Sequence, residues 1–382
     1  MSLQAVSGDR LRMFILAGEP SADRIGADLV RRLKDRVPLA LSGVGGDELI
    51  GQGLKSLFPM SDLAVMGVSD VLRRLPLLLW RLEQTARAIR AAQPDIVVLV
   101  DAQDFSSLLA RRLRAMGYRK DILLYVAPSV WARSPGRAAK LKPNFNEVLA
   151  VLPFEPDFMA KLGGPPTSYV GHPALAERLT RETPPDTGPL ILLPGSRDGE
   201  LRRHLPVFKQ VAERLKGHPA ITSFAMPTLR GLVGRLKSET ADWAVPVDVV
   251  GERSERVALY GSAVAALAVS GTVTLEIGLA RLPHVVTYIM DSHQARTYIK
   301  IGTPKVSLPN IILDRIAVPE FVTDTPDVEE LTAAIRKLLD DKQARQAQIA
   351  AFNELSDLME FGVPGTPRQD PADRVLAHWA GA

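Results

Sequence analysis

The sequence contains no cysteine among its 382 residues. This absence excludes disulfide bonds, thiolate zinc sites and a cysteine nucleophile, and it fits a reducing compartment such as the cytoplasm. Aromatic residues make up only 5% of the chain, and no basic block is interleaved with them, which argues against nucleic acid as a partner. The 47 basic and 43 acidic residues nearly balance, so the net charge of +4 does not indicate a particular class of partner.

Long hydrophobic runs are also missing. The longest, residues 257–269, contains Tyr260, Gly261 and Ser262 and falls short of the roughly 18 apolar residues needed to span a bilayer. We interpret it as the end of a helix followed by a buried strand. The apolar run at residues 13–17 is too short for the core of a signal peptide. The sequence therefore predicts a chain that does not cross a membrane, and it leaves association with a membrane surface open.

Short apolar runs alternate along the chain with longer amphipathic segments. Predicted strands lie at residues 11–17, 95–101, 121–126, 148–152, 189–193, 263–269 and 284–288, and predicted helices at residues 22–36, 104–116, 200–216 and 272–280. Strands that are apolar on both faces and alternate with helices are typical of parallel sheets covered on both sides. The fold class is therefore predicted to be α/β.

A polar, proline-rich stretch at residues 181–189 predicts a linker between two domains. We expect a Rossmann-like domain at residues 1–180, a second at residues 189–345 and a helical tail at residues 346–382. Open doubly wound sheets bind ligands at the carboxyl ends of their strands. Two such domains would present two such edges to one cleft.

The first predicted strand-to-helix turn, residues 17–23, carries three polar side chains. Ser21 is placed to cap the helix, and Asp23 suits the positive end of its dipole. Glu19 has no such structural explanation in a tight turn, so it is a candidate functional residue.

A second turn, residues 100–105, follows the strand predicted at residues 95–101. Asp104 is expected to cap the next helix, whereas Asp101 ends a parallel strand and faces the ligand-binding edge. A carboxylate there can take the proton from an acceptor hydroxyl as a general base. Asp101 and Asp104 are one residue too far apart for an Asp-X-Asp metal motif, and no cluster has metal-ligand spacing, so no metal is expected.

Two glycine turns in the second predicted domain have the same strand-turn-helix form. Backbone N–H groups at Gly195 and Ser196 can face a phosphate, and Arg197 adds a guanidinium suited to a diphosphate. Gly271 allows close approach of a ligand and Thr272 lies near the helix start.

Glu276 lies about one turn further along that helix, where it can accept hydrogen bonds from a ribose diol or can be an ordinary surface glutamate. Residues 304–312 are apolar, contain two prolines and show no period, which is typical of a loop that covers a core or lines a site. We include Ser307 and Asn310 of this loop among the candidate substrate-binding residues.

Residues 71–82 mix arginines, a tryptophan and a dense apolar stripe. This composition suits an interfacial helix that dips into a bilayer, and it equally suits an amphipathic helix packed on the core. Pro76 would start this helix or kink it.

Nine short motifs together resemble those of the lipid-A-disaccharide synthase family of GT-B glycosyltransferases, and the resemblance runs from residue 12 to about residue 360. The motifs are GEPS (18–21) with Asp23, LAVMG (63–67), Asp101 with DF (104–105), PSVW (128–131), LPFE (152–155), GH (171–172), LPGSR (193–197), SGT (270–272) with Glu276, and VSLPN (306–310).

The resemblance implies transfer of 2,3-diacylglucosamine from its UDP carrier to the 6-hydroxyl of 2,3-diacylglucosamine 1-phosphate, with inversion, to form a β-1,6 linkage. Asp101 matches the family's essential aspartate, Arg197 and Asn310 match residues associated with activity, and Ser21 lies in the matching N-terminal loop. The second domain would bind UDP and the first the acceptor. No cofactor is expected.

Acyl chains on both substrates imply peripheral association with the inner membrane from the cytoplasmic side, and a homodimer is left open. Four acceptor-side residues depart from the family pattern, which bears on acceptor choice: Ala22, Gln103, Ser106 and Arg133. Two alternatives stand beside the synthase. One is another GT-B UDP-sugar enzyme, such as a UDP-N-acetylglucosamine 2-epimerase, and the other is a catalytically silent lipid-binding protein of this fold.

Overall fold

The computed structural model describes residues 10–63, 68–131, 135–175, 185–300 and 302–380. Two compact units divide these residues. One contains the described residues up to Pro173 and those from Phe361 onward, and the other extends from Ala174 to Glu360. The predictions made for residues 64–67, for Arg133 and for linker residues 181–184 lie outside the described residues.

The first unit is built on a six-stranded sheet in the order β2-β1-β3-β4-β5-β6. All its pairings are parallel. Every residue of the central strand β3 is buried, as expected for an apolar strand covered on both faces. The strands are β1 (Leu11–Ala17), β2 (Leu39–Val44), β3 (Ile96–Val100), β4 (Asp121–Tyr125), β5 (Glu147–Ala150) and β6 (Thr167–Tyr169).

Among the described residues, six α-helices connect or follow these strands. They are α1 (Pro20–Lys34), α2 (Asp47–Gly51), α3 (Val68–Ala92), α4 (Gln103–Ala115), α5 (Arg137–Leu141) and α6 (Glu155–Lys161), with 3-10 turns at Met60–Asp62 and Pro173–Leu175. Leu16, Leu99 and Leu113 belong to one buried apolar cluster, so α4 packs on the strands β1 and β3. Pro76 lies inside α3 rather than at its start.

The second unit repeats this plan with the order β12-β11-β10-β7-β8-β9, again entirely parallel. Its strands are β7 (Gly188–Leu193), β8 (Ile221–Pro227), β9 (Val247–Val250), β10 (Ala265–Val269), β11 (His284–Ile289) and β12 (Glu320–Thr323). Alternate residues of β7 and β10 enter two apolar clusters, one on each face of the sheet.

In the part of the second unit that the structure describes, eight helices belong to it wholly or largely. They are α7 (Asp198–Arg214), α8 (Val233–Thr240), α9 (Arg253–Ser262), α10 (Thr272–Leu279), α11 (Ser292–Lys300), α12 (Leu308–Ile312), α13 (Val328–Asp340) and α14 (Lys342–Phe361), with a 3-10 turn at Arg230–Leu232. Among the helices of the described ranges, none is long and apolar enough to cross a membrane.

The predicted α/β architecture is confirmed. All seven predicted strands and four predicted helices are present, each beginning and ending within two residues of its expected bounds. Residues 308–312 differ, because they form the short helix α12 where an irregular loop was expected. Pro309 lies in the first turn of that helix, where the missing N–H and the fixed φ of proline are tolerated.

Two predicted helix caps are wrong. Helix α1 begins at Pro20, with Glu19 at the N-cap position, so Ser21 is already inside the helix. Proline is favoured at the first helical position, and this preference outweighed that of serine for the cap. Helix α4 begins after Ala102, so Asp104 lies within its first turn.

The C-terminal residues do not form a unit of their own. Helix α14 lies in the second unit until Glu360, and the chain then returns to the first unit. There β13 (Gly362–Val363) and β14 (Thr366–Pro367) form a small antiparallel hairpin before α15 (Pro371–Ala380). The separate tail predicted at residues 346–382 is thus shared between the two units.

Helix α15 is held on the first unit by charges. Arg374 pairs with the buried carboxylate of Glu147 at 3.0 Å, and Arg36, two residues beyond the end of α1, pairs with Asp373. The ring of His378 bridges two further oxygens, with Nδ1 at 2.6 Å from Asp121 Oδ2 and Nε2 at 2.8 Å from Glu147 Oε2. The hydrogen bond to Glu147 is the main cause that raises the pKa of His378, and Asp121 adds to it, while partial burial opposes the shift.

The His378 bridge makes the attachment of α15 dependent on pH. Because the folded-state pKa is raised above the ordinary value of about 6.5, its stabilisation is complete below about pH 6 and is lost as the pH rises through the folded-state pKa. Replacing His378 by Gln should therefore speed amide hydrogen exchange in α15 strongly near pH 6 and much less at alkaline pH. A hydrogen bond to a charged group contributes about 1.5–3 kcal/mol, and this free energy sets the size of the expected change in exchange rate.

His218→Gln in the second unit is the matched control and should leave exchange in α15 unchanged at every pH. An equal effect of His378→Gln at acidic and alkaline pH would show that the imidazole acts only through packing.

Candidate active site

Each sheet has one point where the direction of strand addition reverses. In the first unit the chain places β2 on one side of β1 and β3 on the other, so the reversal lies between β1 and β3. In the second unit β8 and β9 extend to one side of β7, and β10 to β12 to the other, so the reversal lies between β7 and β10. Ligands of open α/β sheets bind beyond the carboxyl ends of the strands at such points.

The turns predicted to carry function flank these two points. The turn with Glu19 follows β1 and the turn with Asp101 follows β3, so both lie at the reversal of the first sheet. In the second sheet, the turn with Arg197 follows β7 and the turn with Gly271 follows β10. The topology therefore brings the predicted residues together within each unit.

The two turns of the first unit are in direct contact. A Cβ added to Gly18 would lie 2.9 Å from the Cβ of Ala102, so only glycine fits there without a shift of the backbone. Asp101 and Ala102 both have left-handed backbone conformations, with φ of 52° and 43°. Such conformations are uncommon outside glycine and cluster at functional sites.

Two hydrogen bonds hold the strained turn in place. The backbone N–H of Asp101 donates to Tyr125 O at 2.8 Å, and the hydroxyl of Ser106 donates to Asp101 O at 2.7 Å. Ser106 is fully buried in the first turns of α4. Ser106, which is predicted from the sequence to depart from the family pattern, thus contributes a bond that fixes the position of Asp101.

Burial raises the pKa of Asp101, and the negative charge of Glu19 raises it further, while a backbone hydrogen bond from Ala102 opposes the shift. The two carboxylates therefore lie close enough to interact across the Gly18–Ala102 contact. A carboxylate with a raised pKa is a stronger base, which suits proton abstraction.

The other polar residues of the first turn have different roles. Ser21 is exposed in the first turn of α1. Asp23 is buried, and its carboxylate accepts hydrogen bonds from the N–H groups of Gly46 at 2.8 Å and Glu48 at 2.9 Å. It therefore caps the start of α2, while also lying in the first turn of its own helix as predicted.

Sequence reasoning assigned no role to Glu155, although it ends the LPFE motif. Its side chain is buried and accepts hydrogen bonds from the N–H groups of Val151 and Leu152 and from the indole of Trp131 at 3.3 Å. Burial raises its pKa to about 7, against the effect of these donors. Glu155 joins the turn after β5 to the loop after β4, and a glutamate within an apolar motif was the only signal for it.

The glycine turn after β7 is folded around a carboxylate. Gly195 has a φ of 102°, and a Cβ there would lie 2.6 Å from Glu200 Oε2. The N–H groups of Ser196 and Arg197, at 3.1 and 3.3 Å, both donate to that oxygen, and the Arg197 guanidinium donates to Oε1 at 3.0 Å. The Ser196 amide predicted to face a phosphate is therefore occupied by Glu200, which completes a capping box at the start of α7.

The turn after β10 is more open. Gly271 has an extended backbone, and a Cβ added there would meet no atom within 4 Å, so neither conformation nor packing requires glycine. Thr272 is the first residue of α10 and is exposed. Glu276 lies one turn further on, partly buried, and its charge adds to the burial that raises the pKa of Tyr260.

Ser307 and Asn310 are buried in a polar cluster around Glu320. Ser307 donates to Glu320 Oε1 through both its N–H, at 2.8 Å, and its hydroxyl, at 2.5 Å. The amide of Asn310 donates to Glu320 Oε1 and Val318 O and accepts from two backbone N–H groups, so both its donors and its acceptor are occupied within the protein.

This cluster fixes the loop that adjoins the turn after β10, because Ser270 donates its hydroxyl to Val306 O at 2.7 Å. Across the part of the chain that the structure describes, no group of three or more His, Cys, Asp or Glu side chains is arranged to hold a metal ion.

The sequence matches known proteins over nearly its whole length. A model of the lipid-A-disaccharide synthetase family matches residues 13–367. The chain is 39% identical to lipid-A-disaccharide synthase of Rhodopseudomonas palustris, with 98% of each chain covered. It is 38% identical to lipid-A-disaccharide synthase of Rhodospirillum centenum, with 96% of this chain and 94% of the relative covered.

Solved structures with much lower identity share the fold. UDP-GlcNAc 2-epimerase from Neisseria meningitidis, bound to UDP-GlcNAc, aligns with a TM-score of 0.57 at 10% identity and covers 91% of this chain and 99% of its own. The calicheamicin glycosyltransferase CalG4 aligns with a TM-score of 0.58 at 15% identity and covers 97% of this chain and 98% of its own. These likenesses confirm the predicted GT-B class of fold.

The family match separates the alternatives that the fold leaves open. An epimerase and a glycosyltransferase share this architecture, but the full-length relatives at 38–39% identity are synthases. The chain is therefore a glycosyltransferase that acts on a UDP-sugar, and it belongs to the lipid-A-disaccharide synthase family.

Proposed function

We propose that the chain transfers 2,3-diacylglucosamine from UDP to the 6-hydroxyl of 2,3-diacylglucosamine 1-phosphate, with inversion, and releases UDP. The observation that carries this proposal is the family match over residues 13–367. Inversion needs a single in-line displacement, so one base and a stabilised diphosphate leaving group suffice. The turns at the reversal points of the two sheets contain candidate residues for the base and for the stabilisation of the diphosphate.

Asp101 is the proposed base. As it removes the proton of the acceptor hydroxyl, the new bond from that oxygen to the donor sugar forms, and the bond to the diphosphate breaks with its electron pair leaving on UDP. The left-handed turn, the bond from Ser106 and the raised pKa all favour this role, because they hold a strong base at the open edge of the sheet. Glu19 and Ser21, on the neighbouring turn, are proposed contacts of the acceptor sugar.

UDP is proposed to bind the second unit. The guanidinium of Arg197, with 79% of its side chain exposed, and the start of α10 at Gly271 and Thr272 are the proposed diphosphate contacts. Glu276 is the proposed ribose contact. We assign Ser307 and Asn310 to positioning of the adjoining loop, because their polar atoms already bind Glu320 and the backbone.

Binding at the inner-membrane surface is proposed to use α3. Leu75, Leu79 and Trp80 expose 41%, 54% and 56% of their surface, and Arg73 and Arg74 are exposed just before them. Apolar side chains beside arginines suit a surface of anionic lipid. This exposure favours the interfacial interpretation of residues 71–82 over a helix whose apolar face is packed on the core.

Replacing Asp101 by Asn should lower kcat by about 10²–10⁴-fold, because the amide cannot accept the proton. Release of UDP and formation of disaccharide from both diacylated substrates give the rate. Asp104→Asn is the matched control: this carboxylate lies in the same turn but is 86% exposed, and the variant should keep most of the rate.

If Asp101→Asn turned over like the wild type, Asp101 would not be the base. Consumption of the UDP-sugar by the wild type without any disaccharide would remove the synthase assignment, and no turnover at all would favour the silent lipid-binding alternative.

Replacing Glu19 by Gln should move the acidic limb of the pH–rate profile to lower pH. The charge of Glu19 raises the pKa of Asp101, so its removal lets Asp101 ionise, and act as a base, in more acidic solution. The profile of kcat/KM for the acceptor reports this pKa in the free enzyme. An acidic limb that stays in place would show that another group controls it.

Replacing Gly271 by Ala should weaken UDP binding about tenfold while leaving thermal stability unchanged. The new methyl group meets no protein atom within 4 Å, so only a ligand would be displaced by it. Calorimetric titration with UDP measures the affinity. Gly261→Ala, whose methyl group also has open space around it, is the control, and equal UDP affinity in both variants would place the nucleotide elsewhere.

A further inference from the structure

An open pocket of about 490 Å³ lies in the first unit at the carboxyl end of β2. Its lining includes Gly45 and Gly46, which directly follow β2, Ile50 of α2, and Phe58 and Met60. Pockets of this size bind small molecules. β2 pairs with β1 and β1 pairs with β3, so the end of β2 lies about 5 Å from the end of β1, which leads into the Glu19 turn, and about 10 Å from the end of β3, which leads into the Asp101 turn.

The pocket wall is held in shape without a ligand. A Cβ on Gly46 would lie 2.7 Å from the methyl carbon of Met60 and 2.8 Å from Asp23 Oδ2, and one on Gly45 would lie 2.6 Å from Leu49 Cδ1. Asp23 binds the Gly46 and Glu48 N–H groups and so fixes α2, which carries Ile50. Two glycines at which a larger side chain would require neighbouring atoms to shift, together with a buried carboxylate, thus support the pocket wall.

One rim of the pocket continues into the exposed face of α3. The guanidinium of Arg81 stacks over Phe58 at 4.5 Å and over Trp80 at 4.2 Å, and pairs with Asp62 at 2.6 Å. Through this stack the buried ring of Phe58 adjoins the exposed ring of Trp80.

The rim also carries unlike charges. Arg74 donates to Ser61 O at 3.3 Å, and Ser61 lines the pocket. The exposed carboxylate of Asp47 lies in the lining as well. The adjoining segment of α3 adds the exposed guanidinium of Arg73, so an anionic group is favoured on the α3 side of the pocket.

We infer that this pocket binds one acyl chain of the acceptor, with the acceptor's phosphate directed toward Arg74. The inference rests on the proposed function. The acceptor, rather than the donor, fits because its phosphate complements the arginine rim and because the pocket and Asp101 share one sheet edge. The ends of β2 and β3 are about 10 Å apart, and a sugar that carries its chains on ring positions away from the reacting hydroxyl can bridge such a distance.

The experiment compares acceptors that carry progressively longer acyl chains, each kept below its aggregation concentration. In the wild type, kcat/KM should rise with chain length by up to about fourfold per added methylene until the pocket is filled. Ile50→Asp, at a side chain that is half exposed, should flatten this dependence and lower kcat/KM for the long-chain acceptor about tenfold or more while sparing the shortest acceptor.

Ser61→Trp, which narrows the pocket from an exposed position, should shift the preference to shorter chains without adding charge. Leu229→Asp is the matched control, since Leu229 is 56% exposed in the second unit, and its dependence on chain length should equal that of the wild type.

Leu79→Glu separates the pocket from the membrane surface. It should weaken binding to vesicles of anionic phospholipid and keep the chain-length dependence with monomeric acceptors. The inference is overturned if Ile50→Asp keeps the wild-type dependence, if Leu79→Glu flattens it, or if only the donor's chain length matters. In each of these cases disaccharide still forms, so the proposed function survives; it fails only if the wild type makes no disaccharide from any acceptor.

Discussion

The arrangement of the first unit depends on the contact between Gly18 and Ala102. Strands β1 and β3 are neighbours in the sheet, so the turns that follow their carboxyl ends lie side by side and leave little room for side chains between them. Both turns fit because residue 18 is a glycine and Ala102 has a left-handed backbone conformation. Any side chain at position 18 would place its Cβ only 2.9 Å from the Cβ of Ala102. Because the two turns are so close, the charges of Glu19 and Asp101 interact, and the chemistry of one cannot be described without the other.

Buried carboxylates recur where strands end and loops begin. Asp23, Glu155 and Glu200 each accept hydrogen bonds from two or more backbone N–H groups of a turn, and Glu320 does the same for the loop before α12. Each supplies acceptors to N–H groups that helix and strand ends leave unpaired. The loops of the edge are thereby fixed by the protein itself, which is what a preorganised active site needs.

The secondary structure could be predicted because it depends on local patterns. Apolar runs such as residues 11–17 predict strands, and the glycine turns predict where the strands end. The structure has these strands at the expected positions. The partners of individual side chains could not be predicted, because they depend on residues distant in the sequence. Asp23 binds the start of α2, Asn310 binds Glu320, and Glu200 fills the turn at Gly195.

The order of the strands in each sheet could likewise not be predicted from the sequence. Glu19 and Asp101 were identified separately, and only the pairing of β1 with β3 shows that they share one edge. Sequence alone also assigned residues 346–382 to a tail, since a polar amphipathic pattern does not reveal which surface its helix contacts. The charges of α15 pair with Arg36, just beyond the end of α1, and with residues of β4 and β5.

The return of the chain to the first unit after Glu360 affects how this protein can be dissected. A fragment that stops at residue 180 would lose both Arg374 and His378, which are the partners of Glu147 on α15, and would expose the surface that α15 covers. The first unit is therefore discontinuous in the sequence, and a fragment meant to reproduce it needs residues 361–380 as well as the N-terminal residues.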